Sequence, residues 1–333
     1  MRAQVIERFG GPDVFTSVDL PEPEVTPGHV LIRVAATSVN PVDTKIRSGV
    51  LAAIAPDLPA VLHGDVAGTI EAVGPGVNRF AAGDEVYGCA GGVTGLGGAL
   101  ADLMLADARL IAHKPVTLSM REAAALPLVG ITAWDGLVDR ARVRPGQTVL
   151  VHAATGGVGQ IGIQLAKWAG ATVYATGSSE EKLRIARELG AGVAINYRER
   201  DVATYVAGHT GGRGFDVVFD TVGGDNLAKS FEAAALNGTV VATSTRQSAD
   251  LSPLHAKGLS LHVVFMLIPM LHGIGRTRHG EILTELARIV DGGAIHPLID
   301  PRRFSFGDIA AAHAHLESGQ AIGKVVLTND SPS

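Results

Sequence analysis

Four glycines fall within the eleven residues from His152 to Gly162, HAATGGVGQIG. The apolar run QTVLV precedes them and IQLAKWAGA follows. A strand, a Gly-rich turn and a helix in immediate succession form a dinucleotide-binding fingerprint. Unpaired N–H groups at the helix start, reinforced by the helix dipole, hold an anion such as a pyrophosphate. The usual Gly-x-Gly-x-x-Gly positions are Ala154, Gly156 and Gly159 here, so the first glycine is replaced. The small residues Ala154, Gly156 and Gly157 admit close backbone approach, Val158 opens the helix, and Gly159 lets that helix pack against the strand.

The second strand of the series bears on which dinucleotide binds. A site for NAD carries an acidic residue there that bonds the ribose hydroxyls. In YATGSSEEK that position falls at Gly177 or Ser178, and neither is charged. A carboxylate would repel a 2′-phosphate, whereas small and hydroxyl groups admit one. Ser178, Lys182 and Tyr197 are therefore the expected phosphate contacts, and NADPH the expected cofactor.

Elements to position such a site are visible on both sides of it. From about residue 123, strands (TVLVHA, TVYAT, GVAINY, DVVFDTVG, TVVATS) alternate with helical patterns, including 200–209 and 225–237. Ser179 is the expected N-cap of the helix SEEKLRIARELG, and Gly190 its stop. Such alternation predicts a parallel, doubly wound sheet, an α/β Rossmann domain over 123–275. Residues 1–122 read as short strands punctuated by Gly and Pro, as in PEPEVTPG and GPGV, which predicts a β-rich domain. The amphipathic helices and closing strand GKVVLTN after residue 275 are expected to return and complete it, giving a first domain of 1–122 and 276–333.

Composition narrows the class. The 333 residues suggest two domains. A net charge of -5 without a basic block argues against a nucleic-acid partner. Cys89 is the single cysteine, so no internal disulfide forms, in keeping with a cytoplasmic setting. The start lacks a signal peptide's apolar core. The most apolar stretch, LSLHVVFMLIPML (259–271), is too short to span a bilayer and reads as a buried or interface strand followed by a short helix.

Several stretches resemble the zinc-independent quinone oxidoreductases of the medium-chain dehydrogenase/reductase superfamily. They are SVNPVDTKIRSG (38–49), DVAGTIEAVGPGV (65–77), GDEVYG (83–88), AAALPLVGITAW (123–134), VLVHAATGGVGQIGIQLAK (149–167), GAGVAINYRE (190–199), FDVVFDTVGG (215–224) and GKVVL (323–327). The resemblance implies a split, GroES-like catalytic domain around a central Rossmann domain. It further implies NADPH, a quinone or conjugated carbonyl acceptor, and a homodimer formed through the edge strand near LSLHVVFM.

The zinc alcohol dehydrogenases of that superfamily set a test. Their ligand positions correspond here to Asn40, Gly64 and Leu128, and an amide, no side chain and a hydrocarbon do not make a zinc site. No metal is expected. His63 lies one place early, as a shifted ligand or, more simply, a loop residue.

Reduction of a conjugated carbonyl puts negative charge on its oxygen, which calls for hydrogen-bond donors. By family position, Asn40 supplies such a donor near the nicotinamide, and Asp43 orients Asn40 or a nearby helix end. Lys45 stands where relatives often carry Tyr, and either stabilises an enolate or faces solvent. The same resemblance implies Thr132 beside the nicotinamide, and Val222 and Ser244 are expected at strand ends that meet the cofactor. Lys324 either reaches the cofactor or is solvated. Two alternatives stand beside this reading: an alcohol dehydrogenase-type oxidoreductase, and a nucleotide-binding protein without catalysis.

Overall fold

A computed structural model describes residues 1–329. They form two compact units, 1–131 with 267–293 and 297–329, and 132–266 with 294–296. Residues 123–131 and 267–275 belong to the first of these units.

The second unit is a six-stranded sheet: β1 (Thr148–Val151), β2 (Thr172–Gly177), β3 (Val193–Asn196), β4 (Phe215–Asp220), β5 (Ala234–Ala242) and β6 (Ser260–Val263). All neighbours pair in parallel, in the order β3-β2-β1-β4-β5-β6. This is the Rossmann order, and the direction of winding reverses between β1 and β4, where such sheets bind ligands. Val149, Leu150 and Val151 in β1 and Val217, Val218 and Phe219 in β4 are all buried, as strands covered on both faces require. Helices α1 (Gly157–Trp168), α2 (Glu180–Glu188), α3 (Val202–Thr210) and α4 (Asn226–Ala233) connect these strands. Ser179 caps α2 as expected, accepting from the Lys182 N–H. The helix expected over 225–237 ends at Ala233, where β5 begins. Edge strand β6 is followed by a short helix, Ile268–His272, and Val263 and Phe265 are exposed rather than buried.

The first unit is built on antiparallel strands. In the long central strand His29–Ser38, Val30, Ile32, Val34 and Ala36 form one buried face, while the other face is mixed, with Leu31 and Thr37 buried and Arg33 exposed. Val326–Thr328 pairs with it on one side and Asp65–Val73 on the other, both antiparallel. The central strand therefore ends where each neighbour begins. That topology gathers Ser38, Asn40, Asp65 and Lys324 from distant parts of the chain. Among the described residues no helix is long and apolar enough to cross a membrane.

Candidate active site

The Gly-rich turn leaves β1 and enters α1 at the N-cap Gly156. No side chain caps this helix, so its first-turn N–H groups, which lack intrahelical partners, stay open to an anion. The left-handed residue of the turn is Ala153 (φ +52), one place before the replaced glycine. Ala154 itself needs no positive φ, which explains why alanine serves there. At Gly159 a Cβ would sit 2.2 Å from the Ala153 carbonyl oxygen, so only glycine keeps helix and turn in register. Ser178, half-buried, follows the end of β2. The Tyr197 N–H donates to the Gly177 carbonyl at 3.3 Å, and Lys182 lies in the first turn of α2. Ser178 and Tyr197 thus follow the ends of the neighbouring strands β2 and β3, and Lys182 lies in the helix that leaves β2.

Val222 and Ser244 follow β4 and β5. Asp220 Oδ1 accepts from the Val222 and Gly223 N–H groups (2.9 and 2.8 Å), and the Ser230 hydroxyl donates to Oδ2. Gly223 has φ +71, and a Cβ there would meet the Ser244 carbonyl at 2.3 Å. The turn is held closely against the Ser244 backbone, with Val222 exposed. Thr132 is buried in the helix Pro127–Trp134.

In the first unit, Asp65 is fully buried. Its Oδ2 accepts from the Ser38 hydroxyl (2.7 Å), Asn40 Nδ2 (2.8 Å) and Lys324 Nζ (3.3 Å), and its Oδ1 from the Leu128 N–H (2.8 Å). Lys324 is neither solvated nor loosely placed. It is 3% exposed, and its ammonium donates to Asn40 Oδ1, the Val39 carbonyl and Asp65. These contacts set the orientation of the Asn40 amide: oxygen toward Lys324, nitrogen toward Asp65. One amide hydrogen of Asn40 has no acceptor among the described residues. Asp43 Oδ2 accepts from the Asn40 N–H at 2.7 Å, capping the helix Pro41–Arg47. Burial pushes the Asp43 carboxyl up to about 7; nearby Asp65 adds to this, while the Asn40 N–H and Lys324 oppose it. Lys45 is exposed in the last turn of that helix, outside the buried cluster.

His63 lies in a loop, as expected, but not on the surface. It is fully buried at φ +73, with its Nε2 2.9 Å from His313 Nε2. A side chain at Gly64 would begin 2.9 Å from the Gly91 carbonyl, so the structure has no room for a histidine there. Among the described residues no group of three or more His, Cys, Asp or Glu is placed to hold a metal ion. Sequence reasoning did not single out Asp65 or His313. The usable signal for Asp65 was a charged residue opening the apolar run DVAGTI.

Residues 26–116 match the alcohol dehydrogenase GroES-like domain family, and residues 189–327 a zinc-binding dehydrogenase family. A quinone oxidoreductase from Pseudomonas aeruginosa is 36% identical over 326 residues, which cover 96% of this chain and 97% of that protein. The chain belongs to the quinone oxidoreductase family of the medium-chain dehydrogenase/reductase superfamily. A chloroplastic NADPH-dependent alkenal/one oxidoreductase from Arabidopsis thaliana is 35% identical over 334 residues, 98% of this chain and 79% of that one. Among solved structures, an alcohol dehydrogenase superfamily protein from Novosphingobium aromaticivorans aligns with a TM-score of 0.94 and 42% identity, covering 99% and 100% of the two chains.

Proposed function

We propose that this oxidoreductase uses NADPH to reduce quinones or α,β-unsaturated carbonyl compounds without zinc. The observation that carries the reading is Asn40: at the position of a zinc ligand stands a buried amide, oriented by Asp65 and Lys324, with one hydrogen left to give. Family membership and the relatives' named activities support the substrate class.

The residues of the second unit suit the cofactor. The uncapped start of α1, with Gly156, Gly157, Val158 and Gly159, would hold the pyrophosphate. Ser178, Lys182 and Tyr197 would receive the 2′-phosphate at a strand end without a carboxylate. Thr132, Val222 and Ser244 would border the nicotinamide. When bound, NADPH supplies a hydride to the electron-poor acceptor. Asn40 donates its remaining amide hydrogen to the carbonyl oxygen as charge develops there. Lys324 acts by holding Asn40, and Lys45 remains the candidate for an enolate contact. Residues 1–122 and 276–333 serve as catalytic domain and 123–275 as dinucleotide domain. The protein works in the cytoplasm as a homodimer joined through the exposed edge strand β6.

Purified protein should oxidise NADPH when given quinones, enones or enals. Binding of NADPH without turnover of any of them would overturn the proposal. The second reading, an alcohol dehydrogenase, is favoured by the names of the matched dehydrogenase family and the Novosphingobium structure. Stoichiometric zinc retained through dialysis and required for activity would establish it instead.

A further inference from the structure

Behind Asp65, on its backbone side, lies a buried line of polar side chains that the proposed reaction does not use. Arg47 NH1 is 3.3 Å from His313 Nδ1, His313 Nε2 is 2.9 Å from His63 Nε2, and His63 Nδ1 is 3.3 Å from Thr37 Oγ1. The Thr37 hydroxyl donates to the Asp65 carbonyl. The outer end is tied down as well: Arg47 NH2 donates to Glu317 Oε1 at 2.7 Å and its Nε to the Gly10 carbonyl at 3.2 Å. Thr37, Arg47, His63 and His313 are all buried.

The two ends decide where every proton sits. A guanidinium donates and never accepts, so His313 Nδ1 is the acceptor and its proton is on Nε2. From the other end, the Thr37 proton is committed to the Asp65 carbonyl. The Thr37 oxygen must then accept from His63 Nδ1–H, which leaves His63 Nε2 as an acceptor. These independent deductions meet at the His313–His63 contact with one donor and one acceptor. The rings lie 18° from coplanar with centroids 5.2 Å apart, a separation that two ring radii and the 2.9 Å contact account for. The N–H therefore points along the in-plane lone pair of its partner. A second proton on either ring would set N–H against N–H or against the arginine. In agreement, burial holds both imidazoles well below their usual range, His313 at about 3.

We propose that Arg47, His313, His63 and Thr37 form a one-way hydrogen-bond chain, with His313 in the Nε2–H and His63 in the Nδ1–H form, that acts as a positioning device for Asp65 and through it for the Asn40 amide. Because Arg47 does not release its proton, the line is a fixed row of dipoles and not a proton conduit. The left-handed backbone at His63, uncommon for a residue with a side chain, marks a place where the surrounding structure imposes the ring's direction. The functional part of this inference rests on the reductase reading above, and the tautomer part does not.

The test has two arms. In the first, histidine ring nitrogens are labelled with 15N in the full-length protein, and His63 and His313 are assigned from the signals lost in H63Q and H313Q. The expected spectra show opposite neutral tautomers for the two rings. Equal tautomers, or a protonated ring at neutral pH, overturn the chain whatever the enzyme does. In the second arm, His313→Leu removes both bonds, whereas His313→Gln can still accept from Arg47 and donate to His63. Leu should lower kcat for a conjugated carbonyl by about tenfold or more, the scale of a small misplacement of a catalytic group, while leaving the Kd of NADPH unchanged. Gln should restore most of the loss. Equal kcat in wild type and in folded H313L overturns the positioning role. If the wild type itself turns over no acceptor, the reductase reading fails, and the spectra still decide the chain.

Discussion

The most demanding prediction concerns the charge pair at the heart of the first unit. Asp65 is fully buried, Lys324 is 3% exposed, and the carboxylate collects four donors. Asp65→Asn preserves size but removes the charge that balances the Lys324 ammonium. It also turns an amide N–H toward groups that are themselves donors. Removing one member of a buried pair costs about 3–5 kcal/mol, because the other is left uncompensated. Against a typical total of about 5–15 kcal/mol that is a large share. With a urea slope of about 3 kcal/mol/M, the midpoint should fall by about 1–1.7 M. The assay is urea unfolding followed by far-UV circular dichroism. Tryptophan fluorescence would be recorded in parallel, because Trp134 and Trp168 both lie in the second unit. Adding Lys324→Met to Asp65→Asn removes the stranded ammonium and should raise the midpoint again. A fall of less than about 0.3 M, near 1 kcal/mol on that slope, would refute the reasoning. So would a double variant no more stable than Asp65→Asn alone.

Three further outcomes follow from the geometry. Gly159→Ala should lower the melting temperature and weaken NADPH binding measured by fluorescence titration. Its Cβ would meet the Ala153 carbonyl at 2.2 Å, and overpacking of about 1–3 kcal/mol exceeds the roughly 1 kcal/mol that alanine contributes in a helix. Ser178→Asp should weaken NADPH use by at least about tenfold more than NADH use, since a like charge beside the 2′-phosphate costs more than 1.4 kcal/mol; equal losses in steady-state kinetics would remove Ser178 from the cofactor site. Stability should decline as pH falls from about 6.5 toward 3–4. There the unfolded chain takes up protons that folded His63, His152, His279 and His313 refuse, each lowered chiefly by burial, to about 4 for His152 and His279 and about 3 for His313. Asp43 has the opposite sign: its folded pKa of about 7 favours the folded state in acid and loses that contribution as pH rises from about 4 to 7. One group opposes four, so unfolding midpoints should still drop in acid, more steeply in Asp43→Asn and less steeply in His313→Gln.

The two halves of the molecule differ in how far the sequence exposes them, and the reason is contact distance along the chain. The dinucleotide turn is local: β1, the turn and α1 occupy residues 148–168, and each rule they obey acts over a few residues. Even the replaced glycine is a local matter, because the left-handed residue of the turn is Ala153 and not Ala154. Parallel order was legible too, since alternating strands and helices leave few ways to wind a sheet. The polar cluster obeys no local rule. His63 meets His313 across 250 positions, and Lys324 meets Asn40 across 284. A histidine beside a glycine and a lysine near the chain end look like loop and surface residues until the sheet closes. Only antiparallel pairing of three strands, with the central one ending where its neighbours begin, makes Asp65 the common acceptor of Ser38, Asn40 and Lys324. What the sequence could disclose was the mismatch itself, a carboxylate at the head of an apolar strand. A charge in such a place must find partners or leave the core, so an isolated acid opening a buried strand is a reason to search distant segments for the donors that hold it.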